Sequence, residues 1–417
     1  MVRLLEFSEY KSLSPKTKTI TNWWQLYPTT SIKLNVEYQR EIFGDAVNKA
    51  GNYSALAKQL HISRKCMSAC HRLERLPAVE CLAKVLRYLR RDLNEASGRI
   101  IEIGGLKKPL LPFNLKSPEG AEITAAFLSD GHLPKLPFKN PMYCANEKEL
   151  HARLISLCKK IFGEFNGRIK AGHNALLTRF PVPIGIALER AGVPRGDKGI
   201  RNPFLPRHIF TGNNKLKSAY LKRAFDDEGD VHISKIKRAI RLTRSVDAGE
   251  FHKSEKIKPQ RWCYGFSDTP INNLIMGEYL LLRKIGIDAR LYPEGLYLSK
   301  SGKTTAKWRI QIAQQDNVVR FAEKIGFNHS EKMKKLRRAM NSYLRKKSPD
   351  GATERKVDGF IERLSKQKRT ITFKDIAKKM VMMGMTYDYA GYFLKKSVDK
   401  HKLEKIRRGV YIVIKNN

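Results

Sequence analysis

Two segments of this sequence end in the same way. Ile123-Thr124-Ala125-Ala126-Phe127-Leu128-Ser129-Asp130-Gly131 and Leu221-Lys222-Arg223-Ala224-Phe225-Asp226-Asp227-Glu228-Gly229 each run as a helical stretch into an acid followed by glycine. The acids, Asp130 and Glu228, lie 98 residues apart, and each is followed by residues that alternate between polar and apolar. The helix dipole disfavours a carboxylate at a C-terminal end, so two acids at matching ends need a stabilising partner. Two carboxylates brought side by side repel and resist ionisation unless a cation lies between them. A divalent metal there would activate water and stabilise the leaving oxygen of a phosphodiester. Mg²⁺, or Mn²⁺ in its place, takes oxygen ligands and leaves room for phosphate. Of the neighbouring acids, Asp230 follows the second motif and Asp226 is expected at the helix interface or as a cap. No phosphate-binding Walker loop, His-Glu-x-x-His pair or nucleophile elbow occurs elsewhere in the chain.

The elements needed to position such acids also repeat. Small residues, Ala125 and Ala224, suit two helices packed closely along their length. After Asp130 come a strand, a helix over Ala145–Phe162, a strand near Leu176–Phe180 and a helix over Ile184–Gly192. After Glu228 come extended segments to Asp268 and a helix over Thr269–Gly286. Strands near Asp288–Leu291 and Trp308–Ile312 follow, then a helix over Asp316–Phe327. The order helix, two strands, helix, two strands, helix therefore appears twice, an α+β arrangement. Alternation puts Leu133, Val231, Ile233, Ile240 and Leu242 inward. It puts His132, Asp230, His232, Ser234, Arg241 and Thr243 on the opposite face. The segment Glu250–Arg261, with Lys253, Lys256, Lys258 and Arg261, reads as a basic loop beside that face.

Composition points to the same partner. The 417 residues carry 81 Lys+Arg against 40 Asp+Glu, a net charge of +41, with 41% apolar residues that exclude a disordered polycation. A globular chain so charged requires a polyanion, and nucleic acid is the expected one. No apolar run approaches a membrane span and the N-terminus has no signal-peptide core, which predicts a soluble intracellular protein, cytoplasmic or at the nucleoid. Six cysteines are too few for a disulfide scaffold. Cys66, Cys70 and Cys81 cluster in sequence, but without a Cys-x-x-Cys knuckle they read as buried free thiols rather than a zinc site.

With these two motifs at this spacing, residues 119–345 resemble the LAGLIDADG homing endonuclease family in its single-chain, two-repeat form. The resemblance extends to the Lys198–Phe210 stretch, which in the family precedes the second motif. It implies two pseudo-symmetric αββαββα repeats forming a saddle-shaped antiparallel sheet that grips double-stranded DNA on the face of His132, Asp230, His232, Ser234, Arg241 and Thr243, where basic groups would contact phosphate and polar groups read base edges. It implies catalytic, metal-ligating acids at Asp130 and Glu228, aided by the main-chain carbonyls of Ser129 and Asp227. It also implies an auxiliary basic residue near each site, for which Arg179, Lys307 and Arg309 are candidates. Arg223 departs from the pattern, standing where Ala125 stands in the first motif, and is expected to snorkel or to turn its helix. The implied activity is Mg-dependent cleavage of both DNA strands across the minor groove at a long, asymmetric site, by a monomer belonging to a mobile intron. The alternatives are a non-cleaving DNA-binding regulator and an RNA maturase acting on intron RNA. An intein is not expected, since the chain starts at its own Met and its last residues are not a splice junction.

The flanking regions read as separate modules. Residues 1–30, with Trp23, Trp24 and Tyr27, form an N-terminal extension expected to pack on its neighbour. Residues 31–95 resemble a helix-turn-helix, with Ser54 and Ser63 as caps and Arg64, Lys65 and Ser68 facing DNA while Met67 and Leu73 point inward. Residues 96–118 read as a linker with a short strand at Arg99–Ile103. Repeats then occupy 119–213 and 214–345, and 346–353 form a second linker. Residues 354–417 resemble a winged helix: three helices, then a hairpin over 402–414, offering Lys395, Lys396, Arg407 and Arg408 to DNA.

Overall fold

The computed structural model describes residues 5–172, 175–234, 238–249, 262–263, 270–298, 304–344, 351–368, 370–383 and 389–414. The chain forms two compact units, Met1–Met333 and Lys334–Asn417. The basic loop expected over Glu250–Arg261 lies outside the described residues.

Two helices form the axis of the first unit, Pro118–Leu128 and Asn214–Glu228. The first starts with Pro118 behind Ser117, whose hydroxyl accepts the Gly120 amide at 3.0 Å. Every residue from Gly120 to Leu128 is buried, so this helix packs on all sides rather than along one stripe. The second is capped by Asn213, which accepts the Leu216 amide at 3.0 Å. The two pack against each other along their length. Arg223, the bulky exception at this interface, does not snorkel. It is fully buried, pairs with Asp227 at 3.1 Å, donates to the Leu150 carbonyl at 3.3 Å and lies over the Tyr143 ring.

Each central helix leads into its own antiparallel sheet. The first contains Gly131–His132, Met142–Ala145, Leu176–Arg179 and Ile169–Ala171, in that spatial order. The second contains Gly229–Ile233, Arg238–Asp247, Thr304–Ile312 and Arg290–Leu298, with Trp262–Cys263 added at the edge. Both sheets place their four shared strands in the chain order first, second, fourth, third. The repeat inferred from sequence is thus present in topology, an α+β fold with helices Lys148–Phe162 and Val182–Arg190 in one half and Asn273–Lys284 and Gln315–Lys324 in the other. Among the described residues strand pairing stays within each half, so each repeat contributes its own antiparallel sheet.

Flanking segments are more ordered than their composition suggests. The Phe7–Leu13 helix docks through Tyr10, whose hydroxyl donates to the Asn273 carbonyl at 2.7 Å and accepts the Leu205 amide at 2.8 Å. A Cβ at Gly277 would lie 2.4 Å from that hydroxyl, so glycine is required there. Trp23 is fully buried and donates to the Leu93 carbonyl at 3.0 Å, consistent with packing rather than base stacking.

Residues 31–95 contain helices Val36–Ala50, Tyr53–Leu60, Arg64–His71 and Val79–Leu89. Ser63 caps the third, accepting the Cys66 amide, but the cap of the second is Asn52 rather than Ser54. Met67 is buried, whereas Leu73, at positive φ just past its helix, is only half-buried. Residues 96–118, expected as a linker with a short strand at Arg99–Ile103, contain that strand as Ile100–Ile103 and two more, Leu106–Lys107 and Phe113–Asn114. These pair with Ile32–Leu34 and Ile20–Thr21, burying Ile103, Leu106, Phe113 and Leu115. The apolar residues between the prolines were the signal for that packing.

The second unit has helices Gly351–Gln367, Phe373–Met382 and Tyr389–Asp399 and a three-stranded sheet in the order Thr370–Thr372, Val410–Val413, Leu403–Arg407. Its core includes Val357, Ile361, Ile371, Ile376, Phe393 and Leu394. The Ser330–Leu344 helix crosses the division between units.

Candidate active site at the paired helix ends

Asp130 and Glu228 arrive at the same end of the two packed helices. Gly131 and Gly229 allow the chain to leave each helix at once. A Cβ at 131 would lie 2.5 Å from Phe127 Cα, and one at 229 would lie 2.6 Å from the Phe225 carbonyl oxygen. The acid therefore stays beside its own helix end while the backbone turns into a strand. Burial and then the negative charge of Glu228 push the Asp130 carboxyl up to about 6. Its titration reports a neighbouring acid, as expected of a shared carboxylate site. Glu228 keeps a third of its side-chain surface exposed, so the pair has access to solvent.

Basic groups surround the acids, and they are not the ones expected. Lys198, from the short Lys198–Arg201 helix, places Nζ against the Ser129 carbonyl and donates to the Gly131 and Phe127 carbonyls at 2.7 and 3.2 Å. Burial lowers its pKa to about 8. Arg244 comes from the long second strand of the second repeat. One terminal nitrogen lies 3.5 Å from Glu228 Oε1, and the other donates to Ser129 Oγ at 3.0 Å and to Glu278 Oε1 at 2.7 Å. Its Nε completes a bidentate pair with Glu278 at 2.8 Å, and Tyr220 also donates to Glu278 at 3.2 Å.

The second helix end has its own lysine. Lys332 Nζ donates to the Asp226 carbonyl and to the Phe225 carbonyl at 3.3 Å. Asp226 accepts the Asn328 and His329 amides at 2.9 and 3.0 Å, so it caps the following segment. The Asp227 side chain is fully buried, accepts from Tyr143 at 2.8 Å and from Arg223 Nε, and burial pushes its pKa up to about 7. Ser129 and Asp227 occupy matching motif positions, and each is bound by a strand residue of the other repeat, Arg244 and Tyr143. The two helix ends are thereby cross-linked.

The other auxiliary candidates sit elsewhere. Lys307 and Arg309 lie on the outer face of the second sheet, and both pair with Glu294. Arg179 is exposed on the first sheet, opposite Met142. Strand geometry explains the exchange: Arg244 shares the inward register of Ile240, Leu242 and Val246, whereas Lys307 and Arg309 pair with Ser245 and Thr243 on the other face.

That outer face carries Arg241 and Thr243, two of the residues expected to face DNA. Asp230 pairs in register with Arg241, and Thr243 with Arg309. His232 and Ser234 are half-exposed at the end of the first strand, and His132 is half-exposed in the other repeat. Ile233, expected inward, is exposed because its strand ends there. On the helical module Arg64 and Lys65 are exposed and Ser68 half-exposed. In the second unit Lys395, Arg407 and Arg408 are exposed, with Gly409 at positive φ making the hairpin tip, while Lys396 pairs with Glu354.

The donor chemistry fits an oxygen-seeking divalent cation between Asp130 and Glu228. The Ser129 carbonyl already accepts from Lys198, so a cation using that oxygen would compete with the ammonium. Among the described residues no helix is long and apolar enough to cross a membrane.

The chain shows structural similarity to I-DmoI in complex with DNA and Ca, at 12% identity and a TM-score of 0.33, covering 51% of this chain and 90% of that one. It is similar to mesophilic variants of the homing endonuclease I-DmoI at 13% identity and 0.32, covering 51% and 96%. It is also similar to the N-terminal LAGLIDADG domain of DUF199/WhiA at 10% and 0.29, covering 53% and 89%. No curated protein matches the sequence. The family model described as a LAGLIDADG-like domain matches residues 215–326, from the second central helix through the last helix of the second repeat. The chain carries a LAGLIDADG-like domain whose motif helix ends at Glu228, facing Asp130 of a first repeat built in the same strand order.

Proposed function

We propose that the protein is a site-specific endonuclease for double-stranded DNA, hydrolysing phosphodiester bonds at Asp130 and Glu228 with Mg²⁺ or Mn²⁺. The observation that carries this reading is the convergence of two carboxylates at the ends of two cross-linked helices, with the Asp130 carboxyl pushed up to about 6 by burial and then by the charge of Glu228. Asp130 and Glu228 would hold the metal, with the Asp227 carbonyl as a further donor. The bound metal would supply an activated water and stabilise the leaving oxygen. Lys198 and Arg244 would face the scissile phosphate as cations and orient the acids through Ser129. The outer sheet faces, with Arg241, Thr243, His132, Asp230, His232 and Ser234, would follow the duplex. Arg64, Lys65 and Ser68, and Lys395, Lys396, Arg407 and Arg408, would add contacts from the flanking modules, increasing affinity by tethering. Two unlike repeats in one chain imply an asymmetric target and a monomer.

The second reading is a non-cleaving DNA-binding regulator. It rests on Lys198 and Arg244, which supply the acids with positive charge from within the protein. A randomised duplex library, treated with wild type, Asp130→Asn and Glu228→Gln in Mg²⁺ or EDTA, separates the two. Mg²⁺-dependent ends at one sequence, lost in both variants, are expected. Specific retention without cut ends supports the regulator. Neither outcome on DNA directs the assay to structured intron RNA.

A further inference from the structure

Three cysteines converge inside the helical module of residues 31–95, away from the acids. The Sγ atoms of Cys66, Cys70 and Cys81 all lie within 4.8 Å of one another. Cys66 and Cys70 are one helical turn apart on Arg64–His71 and so project from the same side. Cys81 reaches them from the Val79–Leu89 helix. A fourth sulfur belongs to the group: Met67 Sδ lies 4.0 Å from Cys81 Sγ. Cys70, Cys81 and Met67 are buried, and Cys66 is half-buried at the rim. All are free, so no disulfide accounts for the convergence. His71 is not part of the group, and its Nδ1 is engaged with the Tyr53 hydroxyl at 2.6 Å.

The geometry points to a binding site for one thiophilic metal ion, Cu(I), held by the thiolates of Cys66, Cys70 and Cys81 with the Met67 thioether beside them. Soft thiolate and thioether ligands select Cu(I) over harder cations. Three ligands separated by no more than 4.8 Å need only side-chain rotations to reach metal–sulfur bonding distance. The absence of a Cys-x-x-Cys knuckle is no obstacle, because a helix presents an i, i+4 pair to one side and the next helix supplies the third thiol. Binding forms three Cu–S bonds from three thiols and releases three protons, with no change of oxidation state once the ion is Cu(I). Arg75 carries a positive charge near Cys66 and Cys70 that offsets part of the negative charge so created. An occupied site would pin the Arg64–His71 helix, which carries Arg64 and Lys65, to the helix behind it.

The test uses the full chain, reduced and anaerobic, titrated with Cu(I) against a chromophoric Cu(I) chelator, with Zn(II) titrated in parallel. One Cu(I) per chain is expected, with thiolate-to-copper absorption and protection of Cys66, Cys70 and Cys81 from alkylation by mass spectrometry. Cys66→Ser is the decisive variant, because its half-buried side chain can be changed without opening the core. It is expected to weaken Cu(I) binding on the order of tenfold or more while the circular dichroism spectrum is kept. Cys144→Ser, on an exposed strand position of the first repeat, should leave binding unchanged. The proposal is overturned if Cu(I) does not bind stoichiometrically, if Cys66→Ser binds as wild type does, or if Zn(II) is held more tightly than Cu(I).

Discussion

Arg244 Nη1 stands 3.5 Å from Glu228 Oε1 while the rest of its guanidinium is locked onto Glu278. The group facing the exposed acid is therefore itself held from behind by a fully buried carboxylate. Removing one member strands the other. Arg244→Gln is expected to cost about 3–5 kcal/mol, the range for breaking a buried ion pair from one side. Arg244→Met combined with Glu278→Leu should cost clearly less than the single change. Urea unfolding of wild type and the two variants measures both, and equal losses would show that the pair is not the unit.

The glycines that end the motif helices are set by close approach rather than by backbone angle. A Cβ at Gly131 or Gly229 would lie 2.5 Å from Phe127 Cα or 2.6 Å from the Phe225 oxygen, and neither neighbour can rotate away. Gly131→Ala and Gly229→Ala should each destabilise by about 1–3 kcal/mol, the usual cost of overpacking. Gly51→Ala is a useful contrast, because no atom lies within 4 Å of its Cβ position and only the positive φ opposes it. Thermal unfolding should rank Gly51→Ala as the mildest of the three.

Parts of this site were legible from residues alone, and the rest failed for definable reasons. The acid–glycine ends, the doubled element order and the two short helices that meet at the Ser63 cap are local patterns, written in consecutive residues. Lys198 and Arg244 act across about 70 and 115 residues of chain to reach Ser129, and no local pattern carries such contacts. Arg244 did leave a trace, as a charged residue in an inward slot between Leu242 and Val246. A charge in that register demands a buried partner, and Glu278 on an otherwise apolar helix is the matching anomaly. Lys307 and Arg309 were candidates through their strand, yet their register turns them to the face that Glu294 neutralises. Asn52 took the capping role from Ser54 because the helix starts two residues earlier, at Tyr53.

Phosphate contacts should appear as salt dependence. Each lysine or arginine that meets a backbone phosphate lowers the slope of log K against log salt by about one when removed. Arg64→Ala and Lys65→Ala should weaken duplex binding almost equally for specific and random DNA. Thr243→Ala, at the centre of the outer face of the second sheet, should instead reduce discrimination between sequences. Fluorescence anisotropy at several salt concentrations distinguishes the two behaviours. An unchanged slope for Arg64→Ala would remove the helical module from the interface.

Stability without metal should fall as pH rises through the Asp130 titration. The carboxyl is pushed up to about 6 from an ordinary 3.8, so between these values the folded state binds the extra proton. Its favourable contribution is fully present below the unfolded pKa and is lost as pH passes the folded one. Asp130→Asn cannot ionise and should be the more stable protein above pH about 6, with the gap closing toward pH 4. Added Mg²⁺ should stabilise wild type increasingly over the same rise and leave Asp130→Asn nearly unaffected. Calorimetry across pH, with and without Mg²⁺, measures both effects, and parallel curves for the two proteins would contradict the assignment.

Lys198 couples these observations, because its charge opposes the rise of the Asp130 pKa while its ammonium ties down the helix-end carbonyls. Lys198→Met keeps the aliphatic stem and removes both effects. The carbonyls of Ser129, Gly131 and Phe127 lose a donor, which should cost about 1–3 kcal/mol of stability. Asp130 loses a nearby positive charge, so its titration should move above 6, and any Mg²⁺-dependent cleavage should shift its acid limb to higher pH. A structural role alone predicts loss of stability with an unchanged pH profile. Rate against pH for wild type and Lys198→Met, measured well below the melting temperature of each, separates an electrostatic partner of the acids from a simple helix cap.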